Sequence, residues 1–305
     1  MSDPHEELLE ELRPAAFGIA YRMLGSVAEA EDVVQEALLR LHRALEDGQR
    51  IESPRAYVAT IATRLAIDEL RSARARRETY PGDWLPEPLV TDPTADPARH
   101  VEMADSLSLA FLVLLESLSP EQRAVFLLHD VFDYGYGEIA EIVGKSEDNA
   151  RQLAARARRH VEEARPRYEA SRERRDELAR RFFAAAREGD VEGLESLLAE
   201  DVVLHGDGGG KVPALARALF GARRVARTLG AWFRQGAKLL DPGVHETEVN
   251  GQPGAILTAS GGVVAVMALD IADGRIQSIR SIVNPDKLTH VGELADVEEL
   301  LKGRD

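Results

Sequence analysis

The sequence contains no cysteine among its 305 residues. This absence excludes disulfide bonds, thiolate catalysis and zinc sites built on cysteine. The eight histidines are scattered, with no pair at metal-ligand spacing on one helix face, so we expect no metal and no cofactor. No run of about eighteen apolar residues occurs, and the first residues lack the basic and apolar segments of a secretory signal. We therefore expect no membrane segment and a cytoplasmic protein.

The sequence also has fewer basic than acidic residues, which gives it a formal net charge of −15. Such a balance argues against a nucleic-acid partner, since phosphate binding depends on Lys and Arg. Two stretches oppose the trend: residues 64–77 hold five Arg against two acidic residues, and residues 151–167 hold six Arg against two. Two basic patches on an acidic body favour a DNA-binding protein with local contacts, although a solvated helix face explains either patch alone.

Length and composition predict several domains. A chain of this length with 44% hydrophobic and 30% charged residues is too long for one compact core. Its first part, residues 1–79, is predicted to be helical throughout from residue 5 to residue 78. Apolar residues there recur at steps of three and four, as in an amphipathic helix. They are Ala30, Val33, Val34, Ala37, Leu38, Leu41 and Leu45.

A second helix of this part is predicted to start at Ser53-Pro54, a favourable N-cap followed by a proline in the first turn. Its outward face should carry Arg64, Asp68 and Arg71. Its inward residues are expected to be Tyr57, Ile61, Leu65 and Leu70.

Residues 80–105 are predicted to be a linker, because their five prolines break helices and favour extended backbone. Trp84 and Leu85 are unusual in a purely solvated tether. Packing of this segment on a neighbouring domain and a plain flexible linker both stay open.

Residues 106–168 are again predicted to be helical. Ser119-Pro120-Glu121-Gln122 contains the parts of a capping box, and Ser146 can cap a last helix from 147 to about 165. Between them a short helix around Ala140 ends at Gly144. Two helices joined by a tight glycine turn, the second rich in Arg, indicate a helix-turn-helix.

Residues 169–305 change to a mixed pattern. Helices are expected around 178–186, 194–198 and 222–235, and strands at 202–204, 244–249, 255–258, 263–271 and 276–283. Asn250-Gly251 and Asp273-Gly274 predict tight hairpins, and a slip in alternation after Ile276 predicts a bulge. Helices followed by antiparallel strands indicate an α+β domain.

Three motifs, in this order and spacing, resemble the extracytoplasmic-function (ECF) group of bacterial RNA polymerase sigma factors. Residues 30–37 (AEDVVQEA) resemble the core of sigma region 2, and residues 64–71 (RLAIDELR) resemble the helix that engages the minus-ten promoter element. Residues 119–128 with 136–144 resemble region 4, which binds the minus-thirty-five element. The resemblance implies a transcription initiation factor whose partners are core RNA polymerase and promoter DNA.

Residues 169–305 resemble a SnoaL-like domain, a cone-shaped α+β fold related to polyketide cyclases and ketosteroid isomerases. ECF sigma factors with this extension carry three motifs that are similar to segments of this sequence. These segments are residues 84–88 in the linker, the glycine loop 207–211 and residues 284–288 near the C-terminus. The resemblance implies two all-α sigma domains followed by a SnoaL-like regulatory domain. It gives a regulatory role to Trp84, Leu85, Pro86, Asp207, Gly208, Gly209, Gly210, Lys211, Asn284, Pro285, Asp286, Lys287 and Leu288.

Residue chemistry and the resemblance together assign the contact residues. An acidic helix face suits a basic docking surface on polymerase, and it presents Asp32, Gln35 and Glu36. Side chains that bind phosphates or read base edges are expected on two helices. These DNA-binding candidates are Arg64, Asp68, Arg71, Arg74, Ser146, Asn149, Arg151, Gln152 and Arg156. Arg158 and Arg159 are expected at phosphates.

Two features of the C-terminal part are compatible with an enzyme: a possible acid-base pair and a glycine-rich loop. His205 and Asp207 would share one strand face and are types that form acid-base pairs, yet such a pair is more often structural, so we assign no catalytic residue. The glycine-rich segment 207–211 does not match a phosphate-binding P-loop. That motif needs Gly at position 205 and Ser or Thr at position 212, where this sequence has His205 and Val212. A small-molecule cyclase or isomerase fused to a DNA-binding half, and a one-component repressor that uses only the helix-turn-helix, remain alternatives. The acidic face from Asp32 to Glu36 separates them from a sigma factor, because a repressor needs no contact with polymerase. A small ligand of the C-terminal domain, and the sign of regulation, stay open.

Overall fold

The structure, a computed structural model, describes residues 4–91, 106–164, 171–239 and 241–296, without the side chains of residues 4, 73–78, 91 and 164. The chain forms two compact units. One comprises Met1–Thr79 and Leu112–Arg165, and the other comprises Tyr80–Phe111 and Pro166–Asp305. The linker predicted at 80–105 therefore groups with the C-terminal part. Of the described residues, no helix is both long and apolar enough to cross a bilayer.

The first unit is helical. Its elements are α1 (Pro4–Leu24), α2 (Val27–Glu46), α3 (Pro54–Glu78), the end of α4 (Leu109–Leu115), α5 (Pro120–Asp130), α6 (Tyr136–Val143) and α7 (Glu147–Ala164). The prediction of helix throughout residues 5–78 is wrong at two breaks. Gly25 and Gly48 have left-handed backbone, with φ of 68° and 71°, which ends α1 and terminates the turn after α2. Ser26 then restarts the chain as the N-cap of α2.

Helix α3 packs differently from the sequence prediction. Leu70 is buried, but Tyr57, Ile61 and Leu65 are only half-buried. The fully buried residues are mainly smaller neighbours: Val58, Ala59, Ala62, Ala66 and Ile67. Small side chains let helices approach closely, so the alanine-rich stripe faces α1 and α2. The buried stripe therefore lies one position further along the helix than the stripe of the largest apolar side chains.

The helix-turn-helix is confirmed by its caps. Ser119 and Gln122 form both bonds of the capping box at the start of α5. Helix α6 ends at Gly144, whose left-handed φ of 64° turns the chain with no Cβ penalty. Ser146 Oγ then accepts a hydrogen bond from Asn149 N at 3.3 Å, which caps α7.

The second unit combines helices with a mixed sheet. Helices α8 (Arg172–Glu188), α9 (Val191–Leu197) and α10 (Ala222–Gly236) accompany strands β1 (Val90–Thr91), β2 (Leu198–Asp207), β3 (Leu219–Phe220), β4 (Gly243–Val249), β5 (Gln252–Ala259), β6 (Gly262–Ala272) and β7 (Arg275–Ile282). The strand order is β1-β4-β5-β6-β7-β2-β3. The expected antiparallel pattern is wrong for one pair, because β2 runs parallel to β7. The predicted bulge is confirmed, since the register shifts between Ile276 and Ser278.

The two faces of this sheet have different coverings. On one face the helices contribute a core that includes Phe182, Phe183 and Leu229, packed against Met267 and Leu269. On the other face lie the described linker residues, 80–91, whose short strand β1 pairs antiparallel with β4. These residues thus form an edge strand and a covering segment of the C-terminal domain.

Candidate functional site

A buried carboxylate holds the linker on the C-terminal domain. Asp207, 1% exposed, ends β2 and accepts hydrogen bonds from Tyr80 Oη at 2.6 Å and from Leu85 N at 2.8 Å. Lys287 Nζ donates to the same carboxylate at 2.7 Å. We call these contacts, together with those of Asn284, the linker clamp.

Lys287 supplies the positive charge of the clamp. It is 6% exposed, and its ammonium group also donates to Leu85 O at 2.5 Å. The same nitrogen lies 4.3 Å from the ring centre of Trp84 and 4.9 Å from that of Tyr80, which is cation–π distance. A buried charge needs such partners, since an unpaired one is strongly destabilising.

Asn284 joins the clamp to the end of the sheet. Its side chain donates from Nδ2 to Tyr80 Oη at 2.9 Å and accepts from Asp286 N at 3.1 Å, which caps the 3₁₀ turn Pro285–Lys287. Its backbone N donates to Asp207 O at 2.9 Å. Burial, followed by the hydrogen bond to Asp207, raises the pKa of Tyr80, so this hydroxyl remains a donor.

The glycine loop after Asp207 leaves room for the clamp. A Cβ on Gly209, whose φ is +60°, would collide with the Asn284 amide, and one on Gly210, at φ +71°, would lie 2.7 Å from Pro81 Cγ. A Cβ on Gly208 would lie 2.5 Å from Val212 O. Glycine at these positions is therefore explained by close approach.

The remaining residues of the predicted regulatory motifs surround the clamp. Leu85, Pro86 and Leu288 are buried, while Pro285 opens the 3₁₀ turn. Lys211 Nζ lies 2.6 Å from an Asp286 oxygen, with both side chains more than half exposed. That exposed pair links the glycine loop to the C-terminal motif.

The rest of the linker is held further along the sheet. Asp83 contacts His205 Nδ1 at 2.9 Å; burial lowers the pKa of His205, and the bond to Asp83 partly opposes this. Leu89 exchanges two hydrogen bonds with Asn250, at 2.7 and 2.8 Å. Sequence reasoning took Asn250 only as a turn residue and so missed this contact.

His205 and Asp207 face away from a cavity in this domain. The cavity, of about 440 Å³, is lined by Gly206 but by neither of its neighbours. Alternation along β2 explains this: Gly206 points to the cavity face, and the other two point to the linker. The acid-base pair weighed from the sequence therefore lies on the linker side.

Helix α2 presents the predicted acidic face. Asp32 and Gln35 are exposed, and Glu36 accepts a hydrogen bond from Arg40 Nε at 2.7 Å. Leu39, 40% exposed, lies one turn further on the same stripe. Sequence reasoning missed Leu39, although its spacing of i+3 from Glu36 carried the signal.

Two of the predicted DNA-binding residues of α3, Arg64 and Arg71, contact other helices of the same unit. Arg64 donates to Ile142 O at 2.9 Å and to Glu141 O at 2.8 Å. Arg71 donates to Glu121 at 2.6 Å and to Asp68 at 3.1 Å. The bond from Arg71 lowers the pKa of the Glu121 carboxyl. The side chain of Arg74 lies outside the described part of the chain.

Helix α7 has a buried and an exposed face. Its small residues Ala150, Ala154 and Ala157 are buried, while Ser146, Asn149, Gln152 and Arg156 are exposed.

Two arginines of α7 have partners within the same unit. Arg151 pairs with Glu147 and lies 4.7 Å from the Tyr136 ring centre. Arg158, expected at a phosphate, instead donates to Asp130 at 2.6 Å. The exposed side chains of α7, with Arg159 among them, remain the candidates for contacts with DNA.

Comparison with known proteins agrees with these features. The family models described as Sigma-70 region 2 and Sigma-70, region 4 match residues 8–76 and 108–161. The chain is 41% identical over 292 residues to the ECF RNA polymerase sigma factor SigJ of Mycobacterium tuberculosis, covering 92% of each protein. It is 32% identical over 278 residues to the probable ECF RNA polymerase sigma factor SigI of the same species, covering 88% of this chain and 90% of that protein.

A solved structure extends the similarity to the C-terminal domain. The crystal structure of Mycobacterium tuberculosis SigJ aligns with 93% of this chain and 98% of its own, with a TM-score of 0.73 and 36% identity. The predicted fold, two helical sigma domains followed by an α+β domain, is confirmed. The chain belongs to the ECF family of RNA polymerase sigma factors.

Proposed function

We propose that this chain initiates transcription as a promoter-reading subunit of RNA polymerase, and that its C-terminal domain regulates it through the linker clamp. Helix α2 docks on the core enzyme, α7 reads the upstream promoter element and α3 engages the downstream one. The observation that carries the regulatory part is the buried Asp207, which binds Tyr80 and Leu85 of the linker between the two sigma domains.

The docking role of α2 is supported by its exposed stripe. Asp32, Gln35, Glu36 and Leu39 follow steps of three and four residues, so they share one face. An exposed apolar side chain surrounded by acidic and polar ones suits a basic protein surface with an apolar centre. Complementary charge there accelerates encounter and fixes the register of docking.

The DNA role of α3 requires a rearrangement within the first unit. Arg64 donates to the carbonyl oxygens of Glu141 and Ile142, so its guanidinium must give up these bonds before it binds DNA. Arg71 must likewise leave Glu121. We describe this pairing of the two side chains as a closed form, in equilibrium with an open one that binds the promoter.

The regulatory role follows from the position of the clamp. Residues 80–91 are part of the only covalent connection between the sigma domains, and the clamp fixes them on the C-terminal sheet. Holding or releasing this segment changes the length of free chain between the sigma domains. Any such change shifts the balance between closed and open forms.

A catalytic role for the C-terminal domain has weaker support. The cyclase or isomerase alternative requires an acid-base pair inside the cavity, whereas His205 and Asp207 bind the linker on the other face. We therefore propose a regulatory domain and assign no catalytic residue.

Competition for core RNA polymerase tests the docking role. Reversal of Asp32 and Glu36 to Lys should weaken core binding by more than about 1 kcal/mol, roughly fivefold, because like charges would meet at the interface. The matched control reverses Glu7 and Glu10, two exposed acidic residues of α1, and should bind as the wild type does. Equal competition by both double variants would show that α2 is not the docking helix.

A further inference from the structure

A third basic stretch of the sequence lies in the C-terminal domain. Residues 208–240 contain seven Lys or Arg residues and no acidic residue, whereas the whole chain has 38 basic and 53 acidic residues. Four of the seven are arginines of α10, and α10 itself contains no acidic residue. We call these four, Arg223, Arg224, Arg227 and Arg234, the basic face of α10.

The basic face forms a row along one side of the helix. Arg223, Arg227 and Arg234 follow one another at steps of four and seven residues, which return to the same side of an α-helix, and Arg224 flanks this row. At 1.5 Å per residue the row is about 16 Å long. All four residues are exposed, and Arg234 donates to Gly189 O at 3.5 Å.

The opposite side of α10 fixes the row to the domain. Val225 and Leu229 are fully buried, in the core that also contains Phe182 and Phe183. An amphipathic helix binds a membrane by burying its apolar face in the lipid, and here that face is already buried in protein. The arginines are therefore presented to solvent by a helix that packs firmly on the domain.

Acidic residues on neighbouring elements leave the arginines of the row unpaired. Glu192 of α9 and both Glu200 and Asp201 of β2 are exposed, and α9 and β2 pack against α10. Within the described ranges, no acidic side chain forms an ion pair with an arginine of the basic face. The guanidinium groups thus keep donors for an anion from outside the chain.

We propose that the basic face of α10 binds the phosphate backbone of duplex DNA. B-DNA carries one negative charge per 1.7 Å of its axis, so a row of about 16 Å runs beside roughly ten phosphate charges. The planar guanidinium group matches the geometry of phosphate oxygens. Contacts of this kind position a protein on DNA without reading its sequence.

The composition of the row favours DNA over an acidic protein surface. Stable protein interfaces are built around buried aromatic or apolar anchors. Between its arginines, the exposed side of α10 carries only Thr228 and Ala231, both half-buried. The exposed aromatic residue next to the helix in sequence is Phe220 of edge strand β3, which is 60% exposed. A protein partner would use Phe220 as its anchor, whereas a phosphate backbone would not.

The place of this contact on promoter DNA rests on the proposed function, whereas the contact with phosphates does not. Helix α7, which we propose reads the upstream element, ends at Ala164, and α8 begins at Arg172. Eight residues of fully extended chain span at most about 28 Å. We therefore expect the basic face to contact the duplex beside the upstream element.

The salt dependence of binding to a duplex without promoter sequence tests the phosphate contact. The full-length protein is titrated into the labelled duplex at several KCl concentrations, and fluorescence anisotropy gives the affinity. Each phosphate contact adds about 0.9 to the slope of log affinity against log salt. The variant Arg223→Gln/Arg224→Gln/Arg227→Gln should therefore lower this slope by about 2–3, while glutamine preserves helix propensity.

The matched control is Arg174→Gln/Arg180→Gln/Arg181→Gln. It removes the same charge from three exposed arginines of α8 in the same domain, and it should keep the wild-type slope. Equal slopes for the two triple variants, both with the circular dichroism of the wild type, would overturn the contact. The double variant Arg224→Gln/Arg227→Gln guards against loss of folding, and an unchanged slope there would overturn the contact as well.

Footprinting in the complex with core RNA polymerase tests the place of the contact. The wild type should protect duplex DNA beside the upstream element, and the α10 variant should lose this protection while the element itself stays protected. Retained protection in the variant would overturn the place. If the wild type gives no promoter-specific footprint, the proposed function fails, and the salt slopes still decide the phosphate contact.

Phe220→Ala distinguishes DNA from a protein partner. Because phosphate contacts do not depend on this ring, we expect the salt slope of the wild type. The α10 triple variant could instead bind DNA normally and core RNA polymerase at least tenfold more weakly, with a similar loss in Phe220→Ala. That result would assign the basic face to a protein partner and overturn the contact with DNA.

Discussion

At the scale of single residues, Asp207 organises the contact between the linker and the C-terminal domain. Its carboxylate accepts hydrogen bonds from Tyr80, Leu85, Gly209 and Lys287. A buried charge with this many donors is stabilised only while they are present. The clamp is therefore sensitive to the loss of a single hydroxyl on the linker side.

Tyr80→Phe removes that hydroxyl, and with it the bond to Asp207 and the bond from Asn284. A hydrogen bond to a charged group contributes about 1.5–3 kcal/mol, so opening of the linker should become roughly 10- to 150-fold more frequent. Hydrogen exchange of the Leu85 amide, which donates to Asp207, reports this opening. Tyr134→Phe, at a half-buried tyrosine of the first unit, is the control. An unchanged Leu85 rate in Tyr80→Phe would contradict the described clamp.

The sequence named Leu85, Asp207, Asn284 and Lys287 of the clamp, but it named neither Tyr80 nor the bonds between these residues. Asp207 and Leu85 are 122 positions apart, and Lys287 and Leu85 are 202 apart. Hydrophobic periodicity reports only which face of an element is buried. Motif resemblance identified the segments involved, and the structure supplied the bonds between them.

At the scale of elements, helices were predictable where caps mark their ends. Ser119, Gly144 and Ser146 fix the limits of α5, α6 and α7 through local hydrogen bonds and backbone angles. The sheet order was not predictable, because the parallel pairing of β2 with β7 leaves no local signal. The two-residue strand β1 is too short to show alternation.

Two helices should read two promoter elements independently. Arg156→Ala removes an exposed side chain of α7 and should cost about 1–3 kcal/mol at the upstream element, with relaxed sequence preference there. Arg71→Ala, on α3, should impair engagement of the downstream element. Footprinting of both variants in the polymerase complex measures these effects.

The control for this pair is Arg181→Ala, an exposed arginine of α8 in the other unit, which should leave both footprints unchanged. A downstream defect in Arg156→Ala with an intact upstream footprint would contradict the assignment of the helices.

At the scale of the whole molecule, we propose that the linker connects regulation with promoter binding. The sigma domains must reach two separate DNA elements, and the chain between them is partly fixed by the C-terminal domain. A coupling free energy of about 1–3 kcal/mol between clamp and promoter binding would change activity roughly 5- to 150-fold. Such a coupling needs no catalytic step in the C-terminal domain.

Run-off transcription with core RNA polymerase tests this account most directly. The wild type should give promoter-specific transcripts, and the combined variant Tyr80→Phe with Trp84→Ala should change their yield at least about fivefold, because both side chains contact the buried centre of the clamp. Lys238→Ala, at an exposed lysine of the same unit, should transcribe as the wild type does. A clamp variant that folds normally and gives the wild-type yield would contradict regulation through the linker.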